Sequence, residues 1–184
     1  MKCLACGRWG KILCPMCLPP LSLGTRLVDE MSVHSFYALS EIELLLHYKY
    51  TPIGSRIFSL LALRASEFFC KEFGGLQGLK AVGIDDGVKK GYSHTGVILH
   101  SFKRCGITPI YGELRARNQV SYAGKSLEYR KQNPKNFSTK LKDEKLILFD
   151  DVITTGTSLK EAKALLQSLG NQTLFALTLC DARR

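Results

Sequence analysis

Leu146-Ile147-Leu148-Phe149 is an unbroken apolar row that ends in two adjacent carboxylates, Asp150 and Asp151. A strand without polar alternation is buried on both faces, which places it inside a parallel sheet covered by helices. The turn Thr154-Thr155-Gly156-Thr157-Ser158 follows, and then a helix over Thr157 to Leu169 ended by Gly170. Its apolar positions are Leu159, Ala162, Leu165, Leu166 and Leu169. The same alternation runs through the chain. Ser32 to Leu39, 79–84, Ile107 to Leu114, 145–150 and Thr173 to Cys180 read as strands. Glu41 to Lys49, Ile53 to Phe73 and Ser93 to Cys105 read as helices, with Pro52 parting the first two and Gly106 closing the third. Strands and helices in this order predict an α/β fold, a largely parallel sheet with helices on both faces.

Ahead of this body lies "CLACGRWGKILCPMC", with Cys3, Cys6, Cys14 and Cys17 spaced C-x2-C-x7-C-x2-C. Two such knuckles make a closed tetrahedral thiolate site, which predicts a structural Zn²⁺ with no open position for catalysis. Disulfides or redox-active pairs are the competing readings. The N-terminus lacks the apolar region of a secretion signal and no run of about 18 apolar residues occurs. A cytoplasmic location follows as the expectation, and it disfavours disulfides. No thioredoxin-like βαβ unit surrounds either pair. So short a segment has no core of its own, and metal binding would supply its folding energy. Pro19 to Gly24 reads as a linker, dividing the chain into a zinc finger, 1–24, and a main domain, 25–184. Cys70, Cys105 and Cys180 fall in or beside apolar runs and read as buried thiols. Trp9 is expected to pack against the knuckles.

In a parallel sheet, ligands collect at the carboxyl ends of strands, where helix N-termini converge. The amides and hydroxyls of Thr154 to Ser158 suit a phosphate. Asp150 and Asp151, expected at the strand tip, would repel that phosphate but accept hydrogen bonds from neighbouring hydroxyls. A sugar phosphate meets both demands. The Ser158 hydroxyl has a purely structural reading too, as a capping box with Glu161. No G-x-x-x-x-G-K-[ST] occurs, which argues against a P-loop NTPase. Between Arg115 and Lys145, nine Lys and Arg face three acids in a chain of net charge +10. Such a block suits a polyanion, although a solvated basic loop has the same composition.

"LILFDDVITTGTS" is similar to the phosphoribosyl pyrophosphate (PRPP) motif of type I phosphoribosyltransferases. A four-cysteine module before such a domain resembles the ComF (ComFC) family of competence proteins, over essentially the whole chain. "LLLHYKY" around Lys49 resembles the family's early helix, and Gln119, Arg130, Asn133 and Phe137 match recurrent positions. "KKGYSH" (89–94) stands where the family usually carries Arg-Gly-Phe-Asn-Gln. The resemblance implies a phosphoribosyltransferase-like sheet binding PRPP through Asp150, Asp151, Val152, Thr154, Thr155, Gly156, Thr157 and Ser158. Mg²⁺ would be held largely by the ligand's own oxygens. The family serves natural transformation, which implies single-stranded DNA and DNA-uptake proteins as partners. Peripheral attachment at the inner membrane stays open.

Lys125, Arg130 and Lys131 are candidates for pyrophosphate or DNA, and Tyr122, Tyr129 and Trp9 for base stacking. An active transferase making or salvaging a nucleotide is the alternative function. In the loop Gly83-Ile84-Asp85-Asp86-Gly87, two acids stand where the family usually shows proline near the strand end. They would disfavour pyrophosphate unless magnesium bridges them.

The cysteine spacing generates a first prediction. Elemental analysis of purified protein should find one zinc per chain, and Cys3→Ser/Cys6→Ser should lose it. Unchanged zinc in that variant would refute the ligand set.

Overall fold

The computed structural model describes residues 1–184 except Gly75, Asp86, Gln119, Ser121 and Ala123, and leaves aside the side chains of Leu127 and Lys131. Among the described residues, eight strands and five helices follow in the order β1 (Gly24–Val28), β2 (Met31–Ala38), α1 (Leu39–Leu46), α2 (Gly54–Phe73), β3 (Lys80–Gly83), α3 (His94–Ser101), β4 (Thr108–Ile110), β5 (Arg115–Ala116), α4 (Leu127–Gln132), β6 (Phe137–Ser138), β7 (Lys145–Ile153), α5 (Thr157–Ser168) and β8 (Gln172–Asp181). Short 3-10 turns cover Pro15–Cys17, His47–Tyr50 and Phe102–Cys105.

Six strands form one sheet in the order β1-β2-β8-β7-β3-β4. All neighbours are parallel except the β1–β2 hairpin. The apolar row of β7 sits at its centre, with Leu148 opposite Val82 on β3 and Ala176 on β8. Because side chains alternate along a strand, Ile147 and Phe149 enter one apolar cluster while Leu146 and Leu148 enter the other. On the first face, α2 contributes Ile57, Phe58, Leu61, Ala62, Ala65 and Phe69, a helical stripe. Phe102 meets Phe149 there edge-to-face with ring centres 5.0 Å apart. On the second face α5 buries Leu159, Ala162 and Leu166. The expected α/β architecture, helices on both faces of a mostly parallel sheet, is present.

Several boundaries differ from the sequence reading. β7 does not stop at Asp150 but pairs with β8 as far as Ile153, so the two acids lie within the strand. The expected strand 107–114 is only Thr108–Ile110. β1 lies at the end of the expected linker and closes onto β2 through Asp29 and Glu30, both at positive φ, 53° and 63°. Such a two-residue turn ordinarily announces itself by Asn or Gly; here neither is present. The capping box is absent, since the N-cap of α5 is Gly156 and Glu161 instead accepts from the amides of Lys135 and Asn136 at 3.1 and 2.6 Å.

The cysteine reading is corrected as well. Cys70 and Cys105 are joined in a disulfide, tying the end of α2 to the turn before β4, while Cys180 is a buried thiol. The N-terminal segment packs on the main body: Cys3 and Leu13 are buried in the same cluster as α2. Trp9 does not pack against the knuckles. It is 79% exposed, with the Lys2 ammonium 5.6 Å from its ring.

Thiol counting tests the disulfide. Protein unfolded in chelator without reductant should show five free thiols, and reduction should lower stability by about 2–4 kcal/mol. Seven thiols before reduction would remove the bond.

Candidate functional site

The carboxyl end of β7 opens into a cavity of about 660 Å³ lined by Lys49, His94, Asp150, Asp151, Arg130 and the turn into α5, among others. Strand alternation turns Asp150 toward the α5 face and Asp151 toward α2 and α3. Asp151 is 5% exposed. Its Oδ2 accepts from the Lys49 ammonium at 2.6 Å, and its Oδ1 lies 3.8 Å from His94 Nε2.

Lys49 belongs to the 3-10 turn after α1, whose carbonyl at Lys49 accepts from the Tyr92 hydroxyl. His94 opens α3, capped by Ser93, whose hydroxyl accepts from the Gly96 amide at 3.0 Å. The resemblance pointed to Lys49. His94 was passed over, although it sits in the quoted "KKGYSH".

Charge compensation orders these groups. Burial raises the Asp151 carboxyl, but Lys49 and then His94 outweigh it and hold the pKa well below the usual carboxylate range. Burial likewise opposes the Lys49 ammonium, and Asp151 overcomes it and pushes the pKa up. Desolvation drives His94 down to about 4 despite Asp151, so the imidazole is neutral at neutral pH. Asp150 is pushed up to about 8, first by burial and then by the neighbouring Asp151 charge. Of the two acids, Asp151 is the anchored anion and Asp150 is the one that changes protonation near neutrality.

Gly156 makes the turn into α5 possible. Its φ is 80°, and a Cβ there would lie 2.7 Å from Val28 Cγ1, so both conformation and contact exclude a side chain. As N-cap it has no side chain to satisfy the first helical amides, which keep their affinity for an anion. The Thr155 and Thr157 hydroxyls meet at 2.8 Å.

Arg130 reaches this turn from α4. Its Nη1 donates to the Thr154 and Thr155 hydroxyls at 2.5 and 3.1 Å. Nη2 and Nε donate to the carbonyls of Tyr122 and Lys125, and the guanidinium lies 5.6 Å from the Tyr122 ring centre. It is 8% exposed.

Val152, Thr154, Gly156, Thr157 and Ser158 line the cavity together with both acids, and Thr155 joins through Arg130. Lys125 is exposed, over Tyr129 at 5.3 Å. Gln119 and the Lys131 side chain lie outside the described residues. Asn133 bonds within its own helix, donating to the Tyr129 carbonyl, and Phe137 is buried in the second apolar cluster. The acidic loop is compensated at Asp85, which accepts from Lys89 at 2.9 Å and from the Ala116 amide at 3.2 Å; Asp86 is outside the described residues. Lys89 and Lys135 also line the cavity, and the sequence reading gave neither a role there.

The four N-terminal sulfurs lie within 4.8 Å of one another. A tetrahedral zinc with bonds of about 2.3 Å needs sulfurs about 3.8 Å apart, so the cluster fits that ion after small adjustment. The Cys14 and Cys6 amides draw the Cys3 thiol down to about 6, while the neighbouring Cys14 and Cys6 sulfurs push the Cys17 thiol up to about 12, a crowding that a cation among the four would relieve.

No protein-family model matches the sequence, and no curated protein sequence matches it. Solved structures to which the chain is similar include hypoxanthine phosphoribosyltransferase from Staphylococcus aureus, at 15% identity over 69% of this chain and 64% of that one, with a TM-score of 0.41. Hypoxanthine phosphoribosyltransferase from Trypanosoma cruzi is similar at 15% identity over 69% and 64%, with a TM-score of 0.40. The chain thus spans less than two thirds of the length of either.

Two measurements check the network. Lys49→Met leaves Asp151 buried without its cation and should cost about 3–5 kcal/mol in urea unfolding, most of it recovered on adding Asp151→Leu. A cost below 1 kcal/mol would mean the pair is solvated. For His94 the folded pKa of about 4 lies below the unfolded value of about 6.5. Protons therefore favour the unfolded chain, and stability falls as pH drops through that window. His94→Gln should flatten that fall; an unchanged profile would refute it.

Proposed function

We propose that the cavity binds PRPP, with its 5′-phosphate on Thr154 to Ser158 and its ribose hydroxyls at Asp150 and Asp151. One observation carries this reading. Arg130 is a buried guanidinium that rests on hydroxyls and carbonyls, and no carboxylate pairs with it among the described residues. A buried cation without a counter-charge is costly, and an anion on the turn would supply one. Magnesium bound with the ligand would neutralise pyrophosphate. The protein's own groups hold the sugar phosphate: amides and hydroxyls at the turn, carboxylates at the ribose, Arg130 above.

The resemblance to the ComF family supports a role in DNA uptake, with PRPP binding as part of that role and uptake-machinery proteins as partners. Arg115, Arg117, Lys125, Lys140, Lys142 and Lys145 are exposed and suit single-stranded DNA. Arg130 is committed to the cavity instead. Tyr122 is also a poor stacking platform, because it is half-buried between two cations, Arg130 and Lys135, at 5.6 and 5.4 Å, whereas Tyr129 and Trp9 each face a single lysine. Of the three stacking candidates, Tyr129 and Trp9 are the exposed ones. A second reading, phosphoribosyl transfer to an acceptor, is favoured by cavity wall beyond the phosphate turn, where Leu46, Tyr50 and Val120 offer apolar surface. A panel of nucleobases and amines assayed for pyrophosphate release decides it.

Calorimetry with PRPP and Mg²⁺ tests the main reading. Asp150→Asn/Asp151→Asn should lose about 1.5–3 kcal/mol per hydroxyl bond. Arg130→Met should weaken PRPP while leaving DNA affinity and its salt slope, about 0.7 per phosphate contact, as in the wild type. Wild-type PRPP affinity in the double aspartate variant would refute the site.

A further inference from the structure

Thr154 carries a backbone carbonyl into the very turn that is read as a phosphate site, and a carbonyl oxygen facing a phosphate would repel it. The structure shows where that oxygen goes. It accepts from Arg26 Nη2 at 2.5 Å, a contact spanning 128 residues that starts on β1, the antiparallel strand at the edge of the sheet. Arg26 Nε faces Asp181 Oδ2 at 3.3 Å at the end of β8, and the Arg183 amide donates to Asp181 Oδ1 at 2.9 Å. Two residues on, on the same side of β1, the buried Val28 fills the space beneath Gly156.

We infer that Arg26 is a positioning residue for the turn: by holding the Thr154 carbonyl against β1 it keeps the turn's donors, rather than this acceptor, available to a phosphate. The geometry follows from the trans peptide. Its C=O and N–H point in opposite directions, so a carbonyl tied toward β1 aims the next amide, that of Thr155, away from β1.

Packing alone does not account for Arg26. Its Nη1 is buried with no hydrogen-bond partner, and Nε, although 3.3 Å from Asp181, makes no hydrogen bond either; unmet buried donors are destabilising. A leucine or methionine could fill the same space without that cost. What an apolar side chain could not do is hold the carbonyl, or place a positive charge behind the turn. Burial draws the guanidinium's pKa down against the pull of Asp181, yet arginine remains charged at neutral pH.

This inference rests on the phosphate reading of the turn, and ribose 5-phosphate is the probe that separates the two. Calorimetry is run on wild type, Arg26→Met and Arg26→Lys, alongside melting, zinc content and hydrogen exchange of β7 and β8. Arg26→Met should weaken ribose 5-phosphate about tenfold or more, as for loss of one charge-assisted bond. Arg26→Lys, which keeps the charge and one donor, should recover part of that loss. Zinc content and strand exchange should stay as in wild type. An affinity within about twofold of wild type in Arg26→Met overturns the role. Weakened binding with faster β7 and β8 exchange and no recovery in Arg26→Lys overturns it too, because Arg26 is then only structural. No binding by the wild type overturns the phosphate reading itself. If Arg26→Met does not fold, Arg26→Lys decides, with wild-type affinity counting against the role and reduced affinity for it.

Discussion

Burying the Asp151 carboxylate inside a central parallel strand is the constraint to which most of the site answers. A carboxylate 5% exposed is tolerable only beside a cation, and among the described residues no sheet residue pairs with it. Lys49 supplies it at 2.6 Å, which requires the chain to turn sharply after α1. That turn in turn requires Gly54. A Cβ there would lie 2.2 Å from the Tyr48 carbonyl and 2.3 Å from the Tyr92 hydroxyl, the group that holds the Lys49 carbonyl. With Lys49 committed to Asp151, the adjacent Asp150 has no cation within bonding distance among the described residues, and burial and the Asp151 charge push its carboxyl up to about 8. Two identical side chains in sequence thus acquire different chemistry from strand alternation alone.

The turn into α5 is held from two directions. Arg26 and Val28 support it from the sheet edge, and Arg130 covers its hydroxyls. The covering segment is attached differently from the strands. Its contacts with the rest of the site are largely polar: Glu161 to two amides and Arg130 to the turn. Phe137 alone among its described side chains enters the core.

The central strands, α2 and the α5 turn were legible because each is dictated by local patterning: continuous apolar runs, a helical stripe, threonines around an obligatory glycine. The sulfur cluster was legible from spacing alone. What escaped had no local signal. β1 ends in an Asp-Glu turn, where Lys163 donates to the Asp29 carbonyl and helps hold an unfavourable φ in place. The partners of Asp151, the Lys49 ammonium and the His94 imidazole, come from positions 49 and 94, and no spacing rule links these to 151. Glu161 sits three residues after Ser158 and matched a capping pattern, yet long-range amides at 135 and 136 claimed it. Cys70 and Cys105, 35 residues apart, meet only because α2 and α3 pack side by side.

The Arg130 contacts also bear on whether the turn must rearrange to take a phosphate. A threonine hydroxyl has one proton to give and two lone pairs to offer. At Thr154 the guanidinium uses a lone pair, which leaves the proton free for a ligand oxygen. At Thr155 the guanidinium again uses a lone pair, while the hydroxyl shares one proton with Thr157. Whichever of those two donates, the other keeps its own proton for the ligand. An arriving phosphate can therefore accept from Thr154 and from one of the Thr155–Thr157 pair without displacing Arg130. The guanidinium then polarises the hydroxyls toward donation, and its charge acts on the phosphate through them as well as directly. Binding under this arrangement needs hydroxyl rotation and no backbone motion in the turn, which keeps its reorganisation cost low.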